Sequence, residues 1–227
     1  MSAILIAPVT GVADAIAATA SLPAIGSSCA ITAPDDALVR QSHLTMRGRL
    51  RTALRETWQR ETFDHLVNNA GHGDYALIGQ TTEAQFDGLV NVHFKGVYFL
   101  TQALLPLITD GGRIVNLSSG LTRVSYPGYA AYAAVKGAVE VLTVYMAKEL
   151  GGRGIAVNTV APGAIETDFG GGAVRDNQEI NKIFANMTAL GRAGKPDDIG
   201  PMIAGLLSED NRWVNAQRIE VSGGQGI

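Results

Sequence analysis

From residue 63 onward, short apolar runs alternate with long helical ones. FDHLVNNAG (63–71) reads as a short buried strand running into a polar turn. TTEAQFDGLVNVHFKGVYFLTQALLPLI (81–108) reads as one long helix, with Thr82 and Gln85 placed as a capping box and Pro106 near its end. After Asp110-Gly111-Gly112 comes RIVNLSS, with the β-branched centre of a strand buried in a parallel sheet. YAAYAAVKGAVEVLTVYMAKELGGRG predicts a second long helix, stopped by Gly151-Gly152. GIAVNTVAPG predicts a strand ending in a Pro-Gly turn, and RIEVSGG a last strand after a helical region. Alternation at these lengths predicts a doubly wound parallel sheet in a three-layer α/β/α arrangement.

The first 62 residues fit this pattern less well. Residues 3–9 predict a first strand, 13–20 a short helix, 28–32 a second strand and 47–60 an arginine-bearing helix. Fifty-six residues separate Gly11 from Asn68. Three helices of about 11, three strands of about 5 and loops of about 4 need roughly 70. About one strand–helix unit is therefore missing or shortened in the first βαβ region. Charge usage breaks at the same place: 39 residues without a basic side chain, then six arginines and no lysine through Arg60. Both features fit a shifted reading frame, a deletion or a misassigned start over residues 1 to about 50. Residues 1–227 otherwise read as one domain without internal repeats, its N-terminal 52 residues atypical.

Composition narrows the partners. With 227 residues, 46% hydrophobic and 17% charged, the chain can bury a full core. A net charge of −3 gives no reason to expect nucleic acid or an anionic membrane. No apolar run approaches the length of a membrane span, and no Lys or Arg precedes Arg40 to form the positive end of a signal peptide. The single cysteine, Cys29, fits a reducing compartment, so a soluble cytoplasmic protein is expected. His43, His65 and His72 form no metal-ligand spacing with Cys29, and no metal is expected.

The chemistry centres on Ser119, Tyr132 and Lys136. Tyr132 and Lys136 stand four apart on a helix and leave the same face one turn apart. An ammonium beside a phenol favours phenolate, so the Tyr132 pKa is expected below the usual value near 10. Alone, such a pair is more often an ordinary exposed one. Here Asn68-Asn69-Ala70-Gly71, Ser118-Ser119 and Pro162-Gly163 end three successive strands, and polar ends on consecutive parallel strands describe one crevice. Tyr129 has Ala133 four residues on, so the spacing selects Tyr132, and Tyr126 and Tyr129 read as pocket or packing residues. Phe169-Gly170-Gly171-Gly172 forms a hinge, and the segment to Leu190 reads either as a lid over the substrate or as a surface loop.

Over residues 53–225 the chain resembles the short-chain dehydrogenase/reductases, in the single-domain form that includes 3-oxoacyl-carrier-protein reductases. The resemblance rests on NNAG at 68–71, a serine 13 positions before the tyrosine, YAAVK at 132–136, VNTVAPGAIETDF at 157–169, GRAGKPDDIG at 191–200 and RIEVSGG at 218–224. It implies a Rossmann-like fold and hydride transfer between a nicotinamide cofactor, NADP(H) slightly preferred over NAD(H), and a small-molecule carbonyl or secondary alcohol. By similarity Tyr132 is the catalytic acid/base, Lys136 binds the nicotinamide ribose, Ser119 orients the substrate, and Ile165 and Thr167 contact the carboxamide. The strand ends Asn68, Asn69, Ala70, Gly71, Pro162 and Gly163 join the cofactor site, as do Thr10 and Gly11. A homotetramer, with a homodimer second, follows from the helices that pair in family members.

Two departures stand out. The family's usual asparagine is replaced by His93, which reads either as a substitute in a proton relay or as a satisfied histidine beside the core. The glycine-rich turn expected after Thr10-Gly11 is absent, and VADAIAATAS follows directly. Helix N-terminal amides hold phosphate without glycines, though Cβ atoms hinder close approach. One of the Arg40–Arg60 arginines reads as a 2′-phosphate partner or as part of a solvated helix face. The glycine-poor turn keeps a second reading open, a non-catalytic binding or scaffold protein of the same fold.

Overall fold

The computed structural model describes residues 4–7, 28–30, 47–48, 51–52, 54–56 and 59–227. Its strands are β1 (Ile4–Ala7), β2 (Ser28–Ala30), β3 (Phe63–Asn68), β4 (Ile108–Leu117), β5 (Ala156–Pro162) and β6 (Arg218–Val221). All pair in parallel, in the order β2-β1-β3-β4-β5-β6. Two strands stand ahead of β3 among the described residues. The order reverses beside β1, the place where open sheets of this kind leave a crevice at the strands' C-terminal ends.

Alternation along each strand divides the core in two. Leu66, Ile114 and Val157 face one side, where Phe63, Leu104, Ile108 and Ala147 pack with them. Their neighbours Val67 and Val115, with Val160, face the other and meet Ile199, Ile203 and Leu206. The helices behind these faces are α1 (Glu83–Val90), α2 (Val97–Leu104) and α3 (Ala130–Leu150) on the first side, and α6 (Pro196–Leu207) on the second. Between them in sequence, α4 (Ala173–Asp176) and α5 (Gln178–Asn186) follow β5.

Three expectations need correcting. The 81–108 helix is not uniform. Its capping box forms, with Thr82 accepting from the Gln85 amide and Gln85 returning a contact to the Thr82 amide. A π-helical turn, Asn91–Gly96, then separates α1 from α2. Val92 and His93 in this turn are both buried. The Asp110-Gly111-Gly112 turn lies inside β4: Phe63 pairs with Ile108 but His65 with Arg113, so residues 109–112 bulge out before pairing resumes. Finally, Ala130–Arg153 is long and apolar enough, by length and composition, to cross a membrane. In the fold one face of it serves the core, with Val135, Val139 and Ala147 buried and α3 lying along β5, while Val141, Val144 and Tyr145 are exposed.

Two buried histidines tie stability to pH. Burial lowers His65 to about 4 and His93 to about 2, against the ordinary 6.5. The folded chain keeps both rings neutral while the unfolded chain protonates them below 6.5. Stability therefore falls as pH drops from 6.5 toward 4. The urea midpoint at pH 5 is expected below that at pH 7.5, and His65→Leu narrows the gap; an unchanged midpoint rules the coupling out.

Candidate active site

The C-terminal ends of β3, β4 and β5 open into a cavity of about 340 Å³. Asn69 and Gly71 border it after β3, Ser118 to Leu121 after β4, and Pro162 to Ile165 with Thr167 after β5. Tyr132 and Lys136 reach it from α3, one turn apart as their spacing predicts. Ser119, Tyr132, Lys136, Asn69, Gly71, Pro162, Gly163, Ile165 and Thr167 thus share one space. Asn68 and Ala70 are not among the bordering residues. Asn68 turns into the sheet instead, donating through Nδ2 to Thr101 at 3.1 Å and to Asn116 at 2.8 Å. Asn116 in turn donates to Thr143 at 2.9 Å, and Thr159 reaches the same hydroxyl at 2.7 Å. This buried polar ladder locks β3, β4, β5, α2 and α3 together beneath the cavity. Thr10 and Gly11 lie outside the described residues.

Tyr132 is buried and hydrogen-bonded to Ser119. Its pKa is raised, not lowered as the spacing suggested. Burial is the main cause, and the Ser119 bond only partly offsets it. Lys136 Nζ donates to the Leu117 carbonyl at 2.8 Å and lies 5.7 Å from the Tyr132 ring centre. Its own pKa is lowered by burial to about 7. In so dry a place both charged forms are disfavoured, and the desolvation of each outweighs the attraction the pair would gain. Ser119 Oγ accepts from the Leu121 amide at 3.2 Å, which fixes its hydroxyl at the strand end.

His93 sits behind Tyr132, fully buried, with its ring edge-on to the phenol at 5.2 Å between centres. Its Nε2 lies 2.7 Å from the His72 carbonyl oxygen and 3.3 Å from the His72 amide nitrogen, so the ring is held against the His72 backbone. The imidazole also abuts Gly71, where a Cβ would come within 2.6 Å of His93 Cε1. His93 therefore couples the NNAG turn to the tyrosine.

The site fits a bound nicotinamide group. Asn69 is buried at the cavity wall, and its Nδ2 has no hydrogen-bond partner among the described residues. A buried donor left open at a cavity suits the polar edge of a ligand. Gly163 passes so close to Gln225 that a Cβ would lie 2.6 Å from Gln225 Oε1. That oxygen accepts from the Ala164 amide at 2.8 Å and holds the β5 turn open.

The segment after Phe169 covers the cavity: Phe169, Gly170, Ala173, Val174, Ile180, Ile183 and Phe184 line it. Gly170, Gly171 and Gly172 all adopt left-handed conformations, with φ of 62°, 71° and 76°, so the hinge requires glycine. Arg175 then pairs with Asp168 and Asp176. Sequence reasoning passed over a second group, which reaches the cavity through Ser118 and Glu220. Ser118 and Thr122 donate to Glu140, Arg218 bridges Glu140 and Glu220, and Arg123 binds Glu220. These partners are up to 97 residues apart, and no local spacing announces them. Arg55 and Arg51 pair with Glu61, and Arg60 with Asp64, so these arginines form a salt-bridged surface. Among the described residues no cluster of His, Cys, Asp and Glu has metal-binding geometry.

A family model described as enoyl-(acyl-carrier-protein) reductase matches residues 44–225. The chain belongs to the short-chain dehydrogenase/reductase family. Among its relatives is the 3-oxoacyl-[acyl-carrier-protein] reductase FabG of Thermotoga maritima, 39% identical over 71% of this chain and 65% of that one. An NADPH-dependent aldehyde reductase-like protein of Arabidopsis thaliana is 39% identical over 70% of this chain and 60% of its own length. The chain thus spans under two thirds of the length of these short-chain dehydrogenase/reductase relatives. Among solved structures, the angucycline C-6 ketoreductase LanV with bound NADP superposes with a TM-score of 0.83 at 29% identity, covering 96% of this chain and 94% of LanV.

Proposed function

We propose that this chain is an NAD(P)-dependent oxidoreductase that moves hydride between a nicotinamide cofactor and a carbonyl or secondary alcohol. The observation that carries the reading is the convergence of Ser119, Tyr132 and Lys136 on one cavity whose other wall offers the unpartnered Asn69 amide. Nicotinamide, when bound, supplies or accepts the hydride. Ser119 and Tyr132 hold the substrate oxygen between their hydroxyls, and Tyr132 gives its proton to that oxygen as a carbonyl is reduced. Lys136 binds the ribose, while Asn69, Gly71, Pro162, Gly163, Ile165 and Thr167 hold the nicotinamide end.

His93 acts through Tyr132. With its ring outside the cavity and edge-on to the phenol, it serves as a positioning residue for Tyr132. NADP(H) is favoured over NAD(H), a preference supported by NADP in LanV and by the NADPH-dependent relative.

Calorimetric titration with NADPH and NADH tests this function. Saturable micromolar binding of either supports it. A folded protein that binds neither at millimolar concentration overturns it and leaves the non-catalytic binding or scaffold role.

We also propose a cytoplasmic location, supported by the acidic balance and the single cysteine. Assembly into a homotetramer, or a homodimer, is supported by the exposed Phe86, Tyr98 and Phe99 around α1 and α2 and by Val141, Val144 and Tyr145 on α3. Val144→Asp with Tyr145→Asp is expected to shift the sedimentation coefficient toward a monomer. An unchanged coefficient excludes α3 as the interface.

A further inference from the structure

We infer that the substrate half of the cavity is built for a planar aromatic ring system carrying the reacting carbonyl or hydroxyl, a reading that rests on the carbonyl–alcohol chemistry proposed above. Six aromatic rings form a connected wall around the cavity. Tyr75 and Tyr126 meet Tyr129 at 5.7 and 6.1 Å between ring centres, and Tyr129 meets Tyr132 at 6.4 Å. Phe169 touches Tyr132 at 5.5 Å, and Phe184 closes the far side against Tyr126 at 6.0 Å. The acid/base phenol is thus one member of the wall.

The backbone makes room for these rings. A Cβ at Gly73 would come within 2.5 Å of Phe169 Cζ, and one at Gly128 within 2.2 Å of Tyr75 Cε2. Gly128 also holds φ +91°, and its carbonyl accepts from the Ala76 amide at 2.9 Å. Two separate loops therefore carry glycine where an aromatic ring presses against the chain. The rings come from four segments, Tyr75, Tyr126 to Tyr132, Phe169 and Phe184, that the fold brings to one cavity.

Charge argues the same way. Among the described lining residues only Lys136 and Glu220 are ionisable as ordinary cation or anion. Lys136 is bonded to Leu117, and Glu220 is satisfied by Arg123, Arg218 and Ser222. A carboxylate or phosphate tail would find no free counter-ion in this part of the cavity, whereas ring edges and faces find complementary quadrupoles on several sides.

The test compares 1-naphthol with its saturated analogue decahydro-1-naphthol by calorimetry on the full chain, with and without NADP(H). The aromatic ligand is expected to bind about tenfold more tightly, a preference that Tyr126→Leu and Phe184→Leu together reduce to about twofold or less. Equal or weaker binding of 1-naphthol, no binding of either, or a preference unmoved by the double variant overturns the inference. A kinetic arm follows NADPH oxidation with 1-tetralone and with 2-decanone. Turnover of 1-tetralone faster than 2-decanone supports the inference, whereas preferential 1-naphthol binding without turnover of 1-tetralone overturns its claim that the ring system carries the reacting carbonyl. Faster turnover of 2-decanone leaves the activity standing and overturns the aromatic preference.

Discussion

Tyr132→Phe is expected to lower kcat for carbonyl reduction by about 10²–10⁴-fold, the range that a positioned proton donor contributes. The substitution keeps the ring, and with it the edge contact to His93 and the packing on Phe169 and Tyr129. It removes only the hydroxyl and its bond to Ser119. The melting temperature should therefore move by a few degrees at most, so a large loss of rate cannot be assigned to unfolding.

The raised pKa gives this prediction a direction. Burial keeps the phenol protonated across the physiological range, the form needed to protonate a carbonyl oxygen. The free enzyme's kcat/KM for reduction should not lose activity to Tyr132 ionisation up to pH 9. Alcohol oxidation, which needs the phenol deprotonated, should rise through the same range. Burial lowers Lys136 to about 7, so an inflection from it is expected near that pH and should vanish in Lys136→Met. A Tyr132→Phe variant with more than a tenth of the parent kcat would remove the tyrosine from the chemistry.

That direction was not readable from the spacing of Tyr132 and Lys136. Four residues on a helix place two side chains on one face, but they do not say how deep that face lies. The strands and helices after residue 63 were legible because their apolar runs are bounded by Gly, Pro or a capping pair, as at Thr82 and Gln85. The π turn was not, because Asn91–Gly96 has the composition of ordinary helix. Asn68 and Asn69 show the limit within one motif. Successive residues at a strand end point opposite ways, so one joins the buried ladder and the other faces the cavity. The Glu140–Arg218–Glu220–Arg123 group was invisible for a different reason, since its members meet only after the sheet has formed.

The His93 departure yields the second large effect. Gly71→Ala is expected to destabilise the chain by about 1–3 kcal/mol, the usual cost of overpacking a filled site. The backbone at Gly71 is not left-handed, so the cost is purely steric: the new methyl would meet His93 Cε1 at 2.6 Å. The imidazole has nowhere to go. It is held by the His72 carbonyl on one side and by the Tyr132 ring on the other. Any shift it makes is passed to the tyrosine, so kcat should fall together with stability. His93→Ala on its own should also destabilise, by opening a void beside Tyr132. Combined, the two changes should cost less than their sum by about 0.5–3 kcal/mol, because the methyl added at Gly71 occupies space the imidazole has left. Denaturant midpoints of the four proteins measure that coupling. If Gly71→Ala costs the same with His93 present or absent, the glycine is not there for the histidine, and the mechanical link between the NNAG turn and Tyr132 fails with it.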